Sequence, residues 1–252
     1  MTQEKALFEY LLRKADDSLI IGHRLSEWCG HGPILEEDIA LTNLALDLVG
    51  QATELYKYAA EVEGKDRDKD DLAFLRLEKD YKNILLVEQT NGDFGKTIVR
   101  QFFFGHFEHL LYTRLLDSKD ERIAAIAAKS IKELTYHIKH TGEWMIRLGD
   151  GTEESHNRVQ ESVTDLVRFI DELFYQDEVD QTLVQASIIP DTSSFRKEFD
   201  ANIKAVLDEA TLSLPEKSWQ LDGGRKGVHS EHLGYILTEL QYVQRAYPGN
   251  KW

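Results

Sequence analysis

The chain is poor in several residue types, and each shortage excludes a class of protein. One cysteine, Cys29, among 252 residues leaves no internal disulfide to form and fits a reducing, cytoplasmic setting. Only four prolines interrupt the chain, and no stretch sustains a two-residue alternation, so extended sheet is not expected. No apolar run approaches the ~20 residues that span a bilayer, so no membrane partner is expected. The start, Met1-Thr2-Gln3-Glu4-Lys5, soon enters mixed-charge helix without the pattern of a signal peptide. Positive charge is also scarce: 30 Lys and Arg against 45 Asp and Glu give a net charge of −15. Nucleic acids and anionic membranes need a basic footprint, so neither is an expected partner.

What is present is helical periodicity. With 42% apolar residues, a chain this long can bury roughly three quarters of its unfolded surface in one core. The first predicted helix covers about 4–27, with Leu7, Leu11, Leu12, Leu19 and Ile20 on its apolar side. Cys29-Gly30-His31-Gly32-Pro33 breaks it, and a second runs from about Glu36 to Glu61 with Leu41, Leu44, Leu48, Leu55 and Tyr56 as its stripe. After the charged connection 64–71, a third is predicted over about 72–90, with Asn91-Gly92-Asp93 as its stop. Further helices are predicted over about 94–117, from the capping box Ser118–Glu121 to Leu148, then to Tyr175, from Asp191 to Ala210, and from His229 to Tyr247. Long helices, short turns and no linker predict an all-α fold, an antiparallel four-helix bundle with flanking helices in a single domain over 1–252.

Two predicted helices carry Glu-x-x-Tyr, at Glu78–Tyr81 and Glu133–Tyr136. A carboxylate-bridged di-iron bundle would place Glu-x-x-His there, because residues three apart share a helix face and can grip one metal together. A phenol in place of the imidazole removes a nitrogen ligand. Asp47, in line with Asn43 and Gln51, sits where a further ligand or a buried hydrogen-bond network would lie, and His137 follows Tyr136. The third predicted helix holds no histidine at all. Across the chain only His156 has a glutamate three residues earlier, Glu153, in the first turn of a helix and without a partner motif. The His-x-x-His pairs at 106/109, 137/140 and 229/232 read as hydrogen-bonding or interface residues rather than chelates. Carboxylates at Asp47, Glu78 and Glu133, if buried without metal, need donors, for which Tyr81, Tyr136, His137 and nearby cations are the candidates.

Other constellations carry less. Cys29 beside His31 does not amount to a thiolate–imidazole pair. Gly223-Gly224-Arg225-Lys226-Gly227 is the one basic glycine-rich loop, able in principle to meet a phosphate but more simply a flexible loop. Phe102-Phe103-Phe104 with Phe107 covers more of a helix than one core face, so part of it is expected against another helix or subunit.

Long irregular segments complete the reading: Arg24 to His31, Glu36 to Leu41, Ala45 to Leu48, Asn91 to Phe94, Arg100 to Phe102, Arg147 to Thr152, Gly223 to Gly227, His229 to Gly234 and Tyr247 to Gly249. In these the whole chain resembles the C-subunit family of the bacterial phenylacetyl-CoA epoxidases of phenylacetate degradation. The resemblance implies a ferritin-like fold and a subunit without a competent metal site. Its implied partner is a homologous catalytic A-subunit that carries the di-iron centre and binds the CoA thioester. The implied complex adds one oxygen atom from O2 to the aromatic ring with electrons from an NADPH-dependent reductase. The chain is then a non-catalytic accessory subunit with no cofactor of its own, and Arg225, Lys226, His229, Glu231 and His232 are expected at the subunit interface or the CoA entrance. The competing expectations are an oxygenase or oxidase that binds metal through Asp47, Glu78, Glu133 and His137 with ligands from the predicted fourth helix, and an adaptor unconnected with oxygenation.

Overall fold

In the computed structural model, residues 1–216 and 218–250 are described, and among them there is no strand. In chain order the helices are α1 (Gln3–Ser26), α2 (Leu35–Glu63), α3 (Lys69–Phe74), α4 (Leu85–Glu88), α5 (Phe94–Leu115) and α6 (Glu121–Gly149). They continue as α7 (Glu153–Leu166), α8 (Ile170–Leu173), α9 (Glu178–Gln185), α10 (Arg196–Glu209), α11 (Glu231–Leu240) and α12 (Tyr242–Ala246). The fold is all-α, and its two long hairpins, α1–α2 and α5–α6, are the elements from which ferritin-like bundles are made. Its contacts gather into two compact units, Met1–Thr90 with Asp222 onward, and Asn91–Leu221.

In the first unit α1 and α2 pack along their length. Leu11, Ile20, Ile21 and Leu25 meet the α2 stripe of Leu41, Leu44, Leu48 and Leu55, all buried. Thr2 caps α1 by accepting from the Lys5 amide, which satisfies one of the orphan donors of the first turn. The carboxyl-terminal segment returns here, with α11 against α1 and α4. No linker in the sequence announces this division.

The helix predicted over 72–90 does not form. Only α3 and α4 are helical there, and Glu78–Asp80 between them is a single 3-10 turn. The cause is tertiary. The Leu72 carbonyl accepts from the Arg76 side-chain Nε. The amides of Lys82 and Ile84 donate to Asp16 and Asp17 of α1, at 2.7 and 2.9 Å. Backbone groups held by carboxylates from another helix cannot also complete a helical ladder.

In the second unit α5 is covered by α6, α7 and α10. Phe102, Phe103, Phe104 and Phe107 are therefore all buried in the chain, and none of them is left for another subunit. Phe107 meets Phe174 edge-on at 5.2 Å and lies 5.8 Å from Phe195, in offset geometries that aromatic rings favour. Two helix starts differ in detail from expectation. The cap of α6 is Asp120, accepting from the amides of Arg122 and Ile123, while Ser118 donates to the Ile188 carbonyl. Asp191 caps the 3-10 turn that leads into α10, accepting from the Ser193 amide.

Candidate functional site

The six positions read as a degenerate di-iron site are distributed between the two units. In the first, Asp47 is half-buried on α2 and Glu78 is exposed on its 3-10 turn, while buried Tyr81 has extended backbone. Glu78 and Tyr81 are thus not a helix-face pair, because the helix that would align them is absent. In the second unit, on α6, Glu133 is half-buried, Tyr136 is 47% exposed and His137 is buried. Among the described residues no three His, Cys, Asp or Glu side chains come together in an arrangement able to hold a metal ion.

The expected donors to those carboxylates are also corrected in part. Tyr81 donates its hydroxyl to the Ala73 carbonyl at 2.5 Å and accepts from Gln241 at 2.9 Å. The Arg76 guanidinium lies 4.2 Å over its ring. Burial pushes the phenol up to about 12, so it stays protonated. Glu78, at the surface, needs no internal donor.

The chemistry-bearing side chains that do converge are three carboxylates of the first unit. Asp16 accepts from the Tyr56 hydroxyl, from both terminal nitrogens of Arg76 and from the Lys82 amide. Asp17 accepts from Lys14 at 3.0 Å, from the Ile84 amide, and from Arg225 in two contacts of 2.7 and 3.0 Å. Burial alone would raise the Asp17 carboxyl, but the charges of Arg225 and Lys14 outweigh it and hold it below the ordinary range. Glu88 on α4 accepts from the Asn83 amide group, the Ser230 amide and His229. Arg24 ties this end together by donating to the Glu88 carbonyl at 2.9 and 3.2 Å and to the His232 carbonyl at 3.3 Å. Gln51 reaches Ser18 from α2 at 3.1 Å.

Of the residues expected at a CoA entrance, Arg225, His229 and the His232 carbonyl belong to this network. Arg225 is committed to Asp17 and to the Lys82 carbonyl at 2.7 Å, so it is not a free cation for phosphate. The glycines of its loop serve close packing. A Cβ on Gly224 would lie 2.1 Å from the Asn83 carbonyl oxygen, and one on Gly227, at φ +77°, would lie 2.2 Å from that of Lys79. Lys226 and Glu231 are exposed, His232 is half-buried, and the His229 ring is enclosed against Glu88. A groove of about 500 Å³ lies beside α11 and α12, lined by Leu77, Glu78, Gly234, Leu237, Tyr242 and Arg245 among others.

In the second unit His106 behaves as a packing group. His106 stacks edge-on against Phe102 at 4.7 Å, and burial lowers it to about 4, so it is neutral near pH 7. Gln101 is fully buried with neither amide atom hydrogen-bonded. Cys29 is exposed, and the His31 Nδ1 faces its backbone oxygen at 3.1 Å rather than its sulfur.

Sequence reasoning passed over Asp16, Asp17 and Glu88. A signal was available for the first two: Arg13, Lys14, Asp16, Asp17 and Ser18 interrupt the apolar side of α1 between Leu12 and Leu19. Charges at buried helical positions imply buried partners.

The family model described as phenylacetic acid catabolic protein matches residues 1–252. A relative, the C-subunit of the 1,2-phenylacetyl-CoA epoxidase of Escherichia coli (strain K12), is 46% identical over 246 residues. That match covers 98% of this chain and 99% of the relative.

Proposed function

From the premise that the chain belongs to the phenylacetic acid catabolic protein family, we propose that it is a non-catalytic accessory subunit of a phenylacetyl-CoA epoxidase complex. It works in the cytoplasm beside a homologous A-subunit that carries the di-iron centre, with further subunits and an NADPH-dependent reductase. The observation that carries this reading is the fate of the ligand positions. Glu78 has left the helical frame and Tyr81 is bonded to Ala73, so the two cannot face one metal as a helix-spaced pair.

A scaffold role gains support from where charge and apolar surface lie. The buried carboxylates Asp16 and Asp17 are paired by Arg76, Arg225 and Lys14, so their chemistry is spent on holding segments together. On α2, Leu35, Ile39 and Leu46 stand 73%, 53% and 64% exposed. At 100° per residue their directions fall within a narrow arc of about 40°. An exposed aliphatic stripe of this kind is a natural seat for an apolar helix of another subunit. Self-association is disfavoured because each copy brings a net charge of −15. The stripe is therefore assigned to the iron-bearing subunit.

The test is co-expression with the iron-bearing homologue, followed by mass measurement, iron counting and an oxygenation assay supplied with reductase. A stable hetero-complex is expected, with iron on the homologue and activity lost when this chain is omitted. Two irons bound by this chain alone, or full activity in its absence, would overturn the reading. No helix among the described residues is long and apolar enough to cross a membrane.

A further inference from the structure

We propose that His229 is a doubly protonated latch, fastening the carboxyl-terminal segment to the first unit and loosening as pH rises. Its Nδ1 lies 2.9 Å from Glu88 Oε2 and its Nε2 lies 3.0 Å from the Tyr81 carbonyl oxygen. A neutral imidazole has one N–H and one lone pair. A carbonyl oxygen offers only lone pairs, so Nε2 must donate. Glu88 already accepts the Ser230 amide at Oε1, 2.6 Å away, and the Asn83 amide group at Oε2, 2.9 Å away. That is the pattern of an ionised carboxylate, so Nδ1 must donate as well. Both nitrogens carry protons, and the ring is an imidazolium inside a buried ion pair.

The surroundings favour that charge. Burial of the ring works against it, but the hydrogen bond and charge of Glu88 and the Tyr81 carbonyl outweigh burial and raise the imidazole above its ordinary 6.5. From α1, Asp16 adds negative potential that Arg76 offsets, whereas Asp17 is already matched by Arg225 and Lys14. Arg24 lies on the other side of Glu88, at its carbonyl. The Tyr81 phenol, at about 12, stays neutral throughout the range in which the imidazole titrates.

Losing one proton turns one of the two contacts into a lone pair facing a lone pair. His229 stands two residues before α11, so the change falls on the point where that helix is fastened. The other ties, Arg24 to His232 and Gln241 to the Arg76 carbonyl, do not titrate with it. The segment therefore loosens without the unit unfolding, and the groove between Leu77–Glu78 and α11–α12 loses one wall. The sign follows from the raised value. The contribution is complete below 6.5 and is lost as pH climbs through the folded-state value.

The experiment is ring ¹⁵N NMR and amide hydrogen exchange on the full chain, alone and in its complex, from pH 6 to 9. Wild-type His229 should show two protonated ring nitrogens at pH 6.5, where an ordinary histidine is half titrated. After correction for intrinsic rates, protection of α11 amides relative to α1 should fall by up to about tenfold per pH unit between 6.5 and the ring's folded-state midpoint, and level off above it. In His229→Gln, which keeps one donor and no charge, that relative protection should be flat. A ring with one bare nitrogen at pH 6.5, or wild-type α11 protection that tracks the variant across the range, would overturn the latch. The ring measurement needs only wild-type protein, so a poorly folding variant does not decide the outcome.

Discussion

Arg225 and Asp17 lie 208 positions apart in the chain and form a two-contact ion pair, Nη2 to Oδ2 at 2.7 Å and Nη1 to Oδ1 at 3.0 Å, with the carboxylate fully enclosed. Lys14 and the Ile84 amide complete the shell of Asp17. The one basic glycine-rich loop of an acidic chain thereby acts as an internal fastener, with the backbone of Asn83 and Lys79 pressed against its glycines.

Removing one partner of such a pair leaves the other charge buried. Arg225→Ala should therefore cost about 3–5 kcal/mol, read by denaturant unfolding, and Arg225→Lys should recover only part of it because one ammonium cannot reproduce the fork. Substrate KM of the assembled complex should change little in the Lys variant. A large KM rise with unchanged stability would return Arg225 to the CoA site.

Gly224→Ala separates close packing from phosphate binding. Its Cβ would meet a backbone oxygen at 2.1 Å, and backbone cannot swing aside as a side-chain tip can. Destabilisation of about 1–3 kcal/mol is expected from overpacking alone. Unchanged stability combined with weaker CoA-thioester binding would contradict this.

Two histidines should shape the pH profile with opposite signs. His106 is held near 4 by burial, with a smaller effect from His109, so the unfolded chain binds a proton between about 4 and 6.5 that the folded chain refuses. Stability should consequently fall as pH drops through that window, by up to about 1.4 kcal/mol per unit. His106→Phe, which keeps the contact with Phe102, should flatten this limb. His229, with its raised value, weakens the fold on the alkaline side instead. An unchanged acid limb in His106→Phe would refute the assignment.

The stripe on α2 can be tested without touching the core. Leu35→Asp with Leu46→Asp alters exposed positions, so stability should stay within about 0.5 kcal/mol per substitution. Co-purification with the iron-bearing subunit should be lost. Retained assembly would exclude this face as the seat of the partner.

Much of the secondary structure was legible in sequence. The periodic runs that predicted α1, α2, α5 and α6 are long, so their own apolar spacing specifies helix and face. A shorter signal worked where residues act locally, as with the turn after Leu148. The expected Ser118 capping box failed because Ile188, distant in sequence, claims the Ser118 hydroxyl and leaves Asp120 to cap α6.

The six site positions show where local reading stops. Glu78 and Tyr81 have the spacing of a helix-face pair, and nothing within several residues of them contradicts it. The deciding groups are Asp16 and Asp17, more than 60 residues away, which take the amides of Lys82 and Ile84 and hold the segment extended. Asp17 in turn is kept charged by Arg225 from the far end of the chain. Sequence by itself determined the long helices α1, α2, α5 and α6 and their apolar faces, because both follow from nearest-neighbour periodicity. Tertiary structure alone decided which polar groups are paired and whether the segment around Tyr81 could be a helix, because a backbone amide goes to the strongest acceptor within reach and reach is set by the fold.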